Sequence, residues 1–184
     1  VQIREKEGLK QQKGFIKGPF DTTVEIRENE IRMLVDIENG QKTGYFLDQR
    51  ENRAALKPFV KDARVLDTFS HTGGFALHAA YYGAREVTAV DISEHAIEYL
   101  KRNADINGLQ KKINGVTGNV FDVLKEYQTL NEKFDVVILD PPAFCKTKSA
   151  LSGAYRGYKD INLRGMKILN PGGFLVTCSC SHYM

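Results

Sequence analysis

The stretch Arg64-Val-Leu-Asp-Thr-Phe-Ser-His-Thr-Gly-Gly-Phe75 begins as a short apolar strand, turns through small residues and enters a helix. Glycines in such a turn let the backbone approach a ligand closely. In an open parallel sheet, ligands bind beyond the carboxyl ends of the strands. The stretch therefore predicts the first strand and first helix of a ligand-binding α/β fold.

The residues after this stretch repeat the alternation of strand and helix. Ser93 is a typical N-cap for a helix that ends at Asn107-Gly108, and a later helix is predicted over about Lys159–Leu169. The predicted strands that follow the first are Glu86–Asp91, Ile113–Thr117, Phe134–Asp140 and Gly173–Cys178. Stacked strand-helix units of this kind predict a parallel sheet covered by helices.

The residues before the stretch have a different pattern. Hydrophobic residues alternate through Asp21–Ile37, with a turn at Glu28-Asn29-Glu30, which predicts a β-hairpin. Residues 1–20 contain three glycines and Pro19 and read as a connector. We divide the chain into a β-rich N-terminal connecting segment, residues 1–44, and a second domain, residues 45–184.

Composition excludes several classes of protein. The 184 residues are 42% hydrophobic and 27% charged, which is typical of globular proteins and not of disordered, collagen-like or coiled-coil chains. No apolar run reaches the roughly 18 residues of a membrane span, and the first residues carry no export signal. Three cysteines without a CxxC pair and four scattered histidines predict neither disulfides nor a metal site. We expect a cytoplasmic protein without membrane or metal partners.

Two predicted strands end in an aspartate. Asp67 precedes the glycine turn, where it disfavours a pyrophosphate and favours a ligand with a positive amino group. Asp91 lies 24 residues later, close to the spacing at which a carboxylate binds ribose hydroxyls. S-adenosylmethionine carries an amino acid end, a diol and an adenine, and so fits both. The alternative is that each aspartate only caps a helix or forms a turn.

The segment Asp140-Pro-Pro-Ala-Phe144 follows the predicted central strand. Two prolines hold the preceding carboxylate rigidly at the edge of the sheet. A carboxyl group there can accept a hydrogen bond from an exocyclic amine of a base or, when protonated, donate to a ring nitrogen. Phe144 either stacks on a base or belongs to the core. A plain turn is the alternative for the whole segment.

The last predicted strand is followed by Cys178-Ser-Cys180-Ser-His182. A buried cysteine is usually inert, but this strand ends beside the strand of Asp140. Cytosine C5 is a poor nucleophile, and a thiolate that adds to C6 makes C5 reactive enough to accept a methyl group. A cysteine here is therefore a candidate nucleophile.

The charge distribution permits a nucleic-acid partner. The net charge is only +3, but residues 140–170 hold six basic side chains and two acidic ones. The basic side chains are Lys146, Lys148, Arg156, Lys159, Arg164 and Lys167. Such a run either contacts phosphates or forms a solvated face.

Five ordered motifs together resemble one family. They are Gln41-Lys-Thr-Gly-Tyr-Phe-Leu-Asp-Gln-Arg50, Asp67–Phe75, Asp140–Phe144, Arg156-Gly-Tyr-Lys-Asp-Ile-Asn162 and Ser179-Cys-Ser181. From about Gly8 onward the chain resembles the bacterial large-subunit ribosomal RNA cytosine-C5 methyltransferases of class I. The resemblance implies a Rossmann-like class I methyltransferase core, S-adenosyl-L-methionine as cofactor and 23S ribosomal RNA as substrate.

The resemblance also implies site residues. Cys180 would be the nucleophile, rather than Cys178, and Asp140 would contact both cofactor and base. The residues implied to bind the cofactor are Lys42, Thr43, Arg50, Asp67, Phe69, Ser70, Gly73, Phe75, Asp91, Ile92, Asn119, Val120 and Asp140.

Two departures from the family pattern stand out. Asn119 occupies a position where the family often has aspartate. The sheet is also truncated after the fifth strand, without the final antiparallel hairpin, which predicts an exposed edge strand. Guanine-N7 or exocyclic-amine methylation, a small-molecule substrate and a non-catalytic RNA-binding scaffold remain alternative functions. A homodimer remains an open alternative for the assembly.

Overall fold

The computed structural model describes residues 5–9, 14–42, 44–145 and 150–181. Its strands are β1 (Thr23–Glu28), β2 (Ile31–Asp36), β3 (Arg64–Thr68), β4 (Glu86–Asp91), β5 (Ile113–Thr117), β6 (Phe134–Leu139) and β7 (Leu169–Thr177). Its α-helices are α1 (Arg50–Ala54), α2 (Gly74–Tyr81), α3 (Glu94–Ile106), α4 (Val120–Thr129) and α5 (Leu151–Lys167). In these ranges no helix combines the length and the apolar character that crossing a membrane requires.

Strands β3 to β7 form one parallel sheet in the order β5-β4-β3-β6-β7. The predicted α/β fold is thereby confirmed. The chain fills one side of the sheet from β3 to β5 and then crosses to the other side for β6 and β7. The carboxyl ends of β3 and β6 therefore meet at the switch point, where this kind of sheet binds its ligands.

Helices cover both faces of the sheet. Helices α2 and α3 pack on one face, and α4 and α5 pack on the other. Residues Val136–Leu139 of β6 are all inaccessible to solvent, which explains why this strand is apolar at successive positions. The predicted cap of α3 is confirmed, because the Ser93 hydroxyl accepts a hydrogen bond from the Ala96 N–H at 3.2 Å.

Strands β1 and β2 form the predicted antiparallel hairpin, in which Val24 pairs with Val35. The alternating side chains of Ile31, Met33 and Val35 are buried in the same hydrophobic cluster as α2 and α3. The hairpin is therefore packed against the helical layer next to the ligand-binding edge. The division of the chain at residue 44 stays a prediction.

Three elements differ from the sequence prediction. Helix α4 was not anticipated, and α5 begins eight residues before Lys159 because tertiary packing overrides the low helix propensity of Gly153 and Gly157. Strand β7 begins at Leu169, four residues early, and its pairing with β6 is irregular next to Pro171-Gly-Gly173. Within the described sheet β7 is the expected edge strand, and its Phe174 is 47% exposed.

Candidate active site

A cavity of about 620 Å³ lies at the carboxyl ends of β3, β4 and β6. This volume is within the roughly 300–1,000 Å³ of typical small-molecule sites. Most of the residues predicted from the sequence line it together, namely Lys42, Phe69, Ser70, Phe75, Asp91, Ile92, Asn119, Val120, Asp140 and Cys180. The strand ends therefore meet in one pocket, as the sequence predicts.

Three predicted residues do not line the cavity. Asp67 is fully buried beside the cavity, and Gly73 is buried and does not contribute to the lining. A Cβ atom at Gly73 would come within 2.9 Å of Leu100, so its φ of 92° and this packing require the glycine. Arg50 does not line the cavity, because it begins α1 with its side chain largely in solvent. Thr43 lies outside the described residues.

Asp67 is the most unusual group at the site. Within the described residues neither of its carboxyl oxygens has a hydrogen-bond partner, and the same holds for the Ser70 hydroxyl. Burial, followed by the nearby charge of Asp140, raises the pKa of Asp67 well above its usual range. The Ala76 N–H faces the carboxyl and opposes this shift without completing a hydrogen bond. A buried carboxyl group without a partner is suited to a cationic ligand.

Asp91 is held by two backbone groups. One oxygen accepts from the His71 N–H at 2.8 Å and the other from the Ser93 N–H at 2.9 Å. Each carboxylate oxygen keeps a further lone pair, so Asp91 can still accept hydrogen bonds from a diol. The Asn119 oxygen caps α4 through the Phe121 N–H at 3.0 Å and also retains a lone pair toward the cavity it lines.

The Asp140 carboxylate is held by two consecutive side-chain hydrogen bonds. The Gln49 amide donates to its Oδ1 at 3.1 Å, and the Gln49 oxygen accepts from Asn52 at 2.6 Å. Burial raises the pKa of Asp140, although Arg53 and a hydrogen bond from Cys178 counteract it. Gln49 was not predicted as a site residue, although it lies inside the first of the five motifs.

The two neighbouring cysteines have different surroundings. The Cys180 sulfur is exposed, lines the cavity and lies 3.8 Å from the carbonyl oxygen of Pro141. Cys178 is half-buried and is not part of the lining. Burial and the charge of Asp140 raise the pKa of the Cys178 thiol to about 11. Cys180 is thus the cysteine placed to react with a molecule in the cavity.

Arg53, a buried cation on the cavity wall, was not predicted from the sequence. Its guanidinium binds Glu28 of β1 through two hydrogen bonds, at 2.6 and 2.9 Å, and stacks on the Tyr45 ring at 4.7 Å. A Cβ atom at Gly74 would lie 3.3 Å from Arg53, so this glycine leaves room for the arginine. Its position could have indicated a site residue, because Arg53 lies one helical turn after Arg50, the last residue of the first motif.

The turn after β3 holds two residues in a strained backbone conformation. Phe69 and His71 have φ values of 58° and 49°, although neither is glycine. Both line the cavity. Strain of this kind concentrates where a binding site dictates the position of a side chain.

The family described as S-adenosylmethionine-dependent methyltransferase matches residues 11–182. This chain belongs to that family. The cofactor is therefore S-adenosylmethionine, as predicted, and four of the five motifs contribute residues to the lining of the cavity. Among the described residues, no three His, Cys, Asp or Glu side chains form a group that could hold a metal ion.

Individual named proteins and solved structures are also similar to this chain. The chain is 48% identical over 186 residues to "Ribosomal RNA large subunit methyltransferase I" of Aeromonas salmonicida, and spans 47% of that protein. The structure matches SMU.776 complexed with SAH (TM-score 0.77, 29% identity, 89% of this chain and 43% of that one). It also matches the tRNA m1G37 methyltransferase of M. jannaschii (TM-score 0.64, 27% identity, 88% of this chain and 44% of that one). The methyltransferase chain thus spans about half the length of these relatives.

The residues of the cavity fit the cofactor. On the lining, Asp91 suits a diol, and the unpartnered hydroxyl group of Ser70, together with the carboxyl group of Asp67 buried beside the cavity, suits an ammonium group. When bound, S-adenosylmethionine supplies an electrophilic methyl group. The polar groups and the apolar walls that such a ligand needs are therefore present before it binds.

Proposed function

We propose that this methyltransferase modifies C5 of a cytosine in 23S ribosomal RNA through a covalent adduct between Cys180 and C6 of the base. The observation that carries the proposal is the position of Cys180, 3.8 Å from the carbonyl oxygen of Pro141 in the cavity that Asp91 and Asp140 also line. The name of the Aeromonas relative supports the choice of RNA. With this substrate, we propose a cytoplasmic location for the activity.

Cys180, Asp140 and Gln49 each have a task in this reaction. The Cys180 thiolate adds to C6 of cytosine, and the electron pair of the C5–C6 double bond becomes available at C5 for methylation. Asp140 holds the base through its exocyclic amine or ring nitrogen, oriented by Gln49. A proton acceptor then removes the C5 proton, the C5–C6 double bond re-forms and the Cys180 thiolate leaves C6.

The proposal is tested by incubating the chain with unmodified 23S ribosomal RNA and methyl-labelled cofactor, followed by mass spectrometry of the nucleosides. We expect labelled 5-methylcytidine from the wild-type chain. Cys180→Ala should lower its formation by a factor of about a thousand or more, because the nucleophile is lost. Labelled 7-methylguanosine or an N-methylated base would support nitrogen methylation instead.

A second assay separates the two cysteines. RNA that contains 5-fluorocytidine keeps the adduct, because fluorine cannot leave C5 as a proton does. We expect a covalent protein–RNA complex from the wild-type chain and from Cys178→Ala, and none from Cys180→Ala. Unchanged turnover in Cys180→Ala would exclude the covalent route.

A further inference from the structure

A second cavity, of about 530 Å³, adjoins the first. Phe121 and Phe144 line both cavities and form the wall between them. The first part of α5 supplies the rest of the lining, in which Gly153, Ala154 and Gly157 carry no bulky side chain. A molecule that extends from the first cavity would enter the second past these two aromatic rings.

The walls of this second cavity suit a flat aromatic group. The rings of Phe121 and Phe144 lie 5.9 Å apart and are inclined by 37°. A Cβ atom at Gly157 would lie 3.1 Å from the Phe144 ring, so the glycine lets the helix backbone approach the ring closely. Phe144 also packs on Tyr158 at 4.7 Å, which holds the ring in place. Nucleobases stack on such fixed aromatic side chains whatever their sequence.

The rim of the second cavity is positively charged. Arg156 lines it with an exposed side chain, and no acidic partner of Arg156 is found among the described residues. The first turn of α5 contains no acidic residue, and Asp160 is already paired with Arg164 at 2.9 Å. Aromatic walls beside an unpaired arginine fit a nucleotide, because one provides stacking and the other a partner for phosphate.

We propose that this cavity is a subsite for the nucleobase next to the target base, with Arg156 bound to its phosphate. The inference rests on the proposed action on RNA and adds where the flanking nucleotide lies. The two cavities share a wall, so a base in each requires only neighbouring positions on one strand.

The test fills the subsite without disturbing the fold. A Cβ atom at Gly153 meets nothing within 4 Å, so Gly153→Leu adds its side chain to open space. We expect Gly153→Leu to weaken binding of a single-stranded ribosomal RNA fragment, followed by fluorescence anisotropy, by about tenfold or more, the loss of one stacked base. Gly153→Ala is the size control and should stay within about twofold of the wild type. Calorimetry should show unchanged affinity for S-adenosylmethionine in both variants.

The phosphate contact is tested separately. Arg156→Ala should weaken RNA binding and reduce the slope of log affinity against log salt by about one. Arg102→Ala, which removes an exposed arginine from α3, is the matched control and should leave that slope unchanged.

The outcomes separate the two proposals. If the wild-type chain binds RNA and Gly153→Leu and Arg156→Ala bind it equally well, the subsite is wrong while the proposed function stands. If Gly153→Leu loses affinity for S-adenosylmethionine, the cavity belongs to the cofactor site and the subsite is again overturned. If the wild-type chain neither binds nor methylates RNA, both the proposed function and the proposed subsite are wrong.

Discussion

Asp67 shows how a single residue can be arranged for binding at the expense of stability. It lies one residue before the end of the central strand β3 with no exposed surface, and its carboxyl group has no hydrogen-bond partner in the described part of the chain. Unpartnered buried polar groups are costly and are usually avoided. At this position we expect the cost to be offset when a cationic ligand binds, which would tie the stability of the free chain to the function of the site.

We therefore expect Asp67→Asn to change stability and binding in opposite directions. The pKa of Asp67 in the folded chain lies above its unfolded value, so stability falls as pH rises from about 4 through the folded pKa. Asparagine does not titrate, so the variant does not lose stability in this way. Its stability relative to wild type should therefore increase with pH in urea titrations. Calorimetry should show S-adenosylmethionine bound about tenfold to a hundredfold more weakly, through loss of one charge-assisted contact. Parallel stability curves for the two proteins would contradict the interpretation.

At the scale of elements, the hairpin is joined to the helical layer by side-chain amides. Strand β2 has β1 on one edge, and its other edge faces α3. Asn103 of α3 accepts from the Leu34 N–H at 2.7 Å and donates to the Thr72 carbonyl at 3.2 Å. One turn later, Asn107 exchanges two hydrogen bonds with the backbone of Arg32. Two asparagines thus satisfy backbone groups that a further strand would otherwise pair.

This arrangement predicts that substitution lowers the free energy of unfolding strongly at one asparagine and weakly at the other. Asn103 is fully buried, so Asn103→Leu leaves the Leu34 N–H and the Thr72 carbonyl unpaired and should cost about 2 kcal/mol or more. Asn107→Ala should cost about 1 kcal/mol or less, because water can replace its half-exposed contacts. Chemical unfolding measures both values, and equal losses would show that burial does not govern this contact.

At the scale of the whole molecule, one buried polar cluster connects the hairpin, the segment before the sheet and the cavity. Glu28 of β1 pairs with Arg53 of α1, and both are 3–5% exposed. Burial tends to raise the pKa of Glu28, but the hydrogen bonds and charge of Arg53 outweigh it and lower that pKa. His78 of α2 completes the cluster, with its Nδ1 2.7 Å from the Gly74 carbonyl. Loss of either charge of the pair would leave the other buried and unpaired.

His78 makes the stability of the molecule sensitive to acid. Burial lowers its pKa to about 4, from 6.5 in the unfolded chain. The unfolded chain therefore gains a proton first, and stability is lost as pH falls from 6.5 toward 4, by up to about 3 kcal/mol. The expected result is that the stability advantage of wild type over His78→Gln shrinks across this range in urea unfolding. A difference between wild type and His78→Gln that stays constant across this pH range would contradict the prediction.

The local pattern of the sequence was sufficient for the sheet and for most of the cavity. Apolar runs bounded by glycine turns predicted the parallel strands, because a strand covered on both faces has no solvent-facing positions to alternate. Acids at the ends of two such strands predicted the neighbourhood of Asp91 and Asp140, because parallel strands end at one edge. The prediction was weakest at α4 and at the start of α5, where propensity is low and packing decides.

By itself, the sequence determined the fold class, the cofactor family and the residues at the strand ends, because all three depend on spacing along one chain. Only the tertiary structure decided that Arg53 and Gln49 line the same cavity, and that the Asp67 carboxyl group beside it has no hydrogen-bond partner among the described residues. These features depend on burial and on contacts between residues far apart in sequence, such as Glu28 with Arg53 and Gln49 with Asp140. Periodicity cannot report them, because the energies involved arise only when the layers pack and water is excluded.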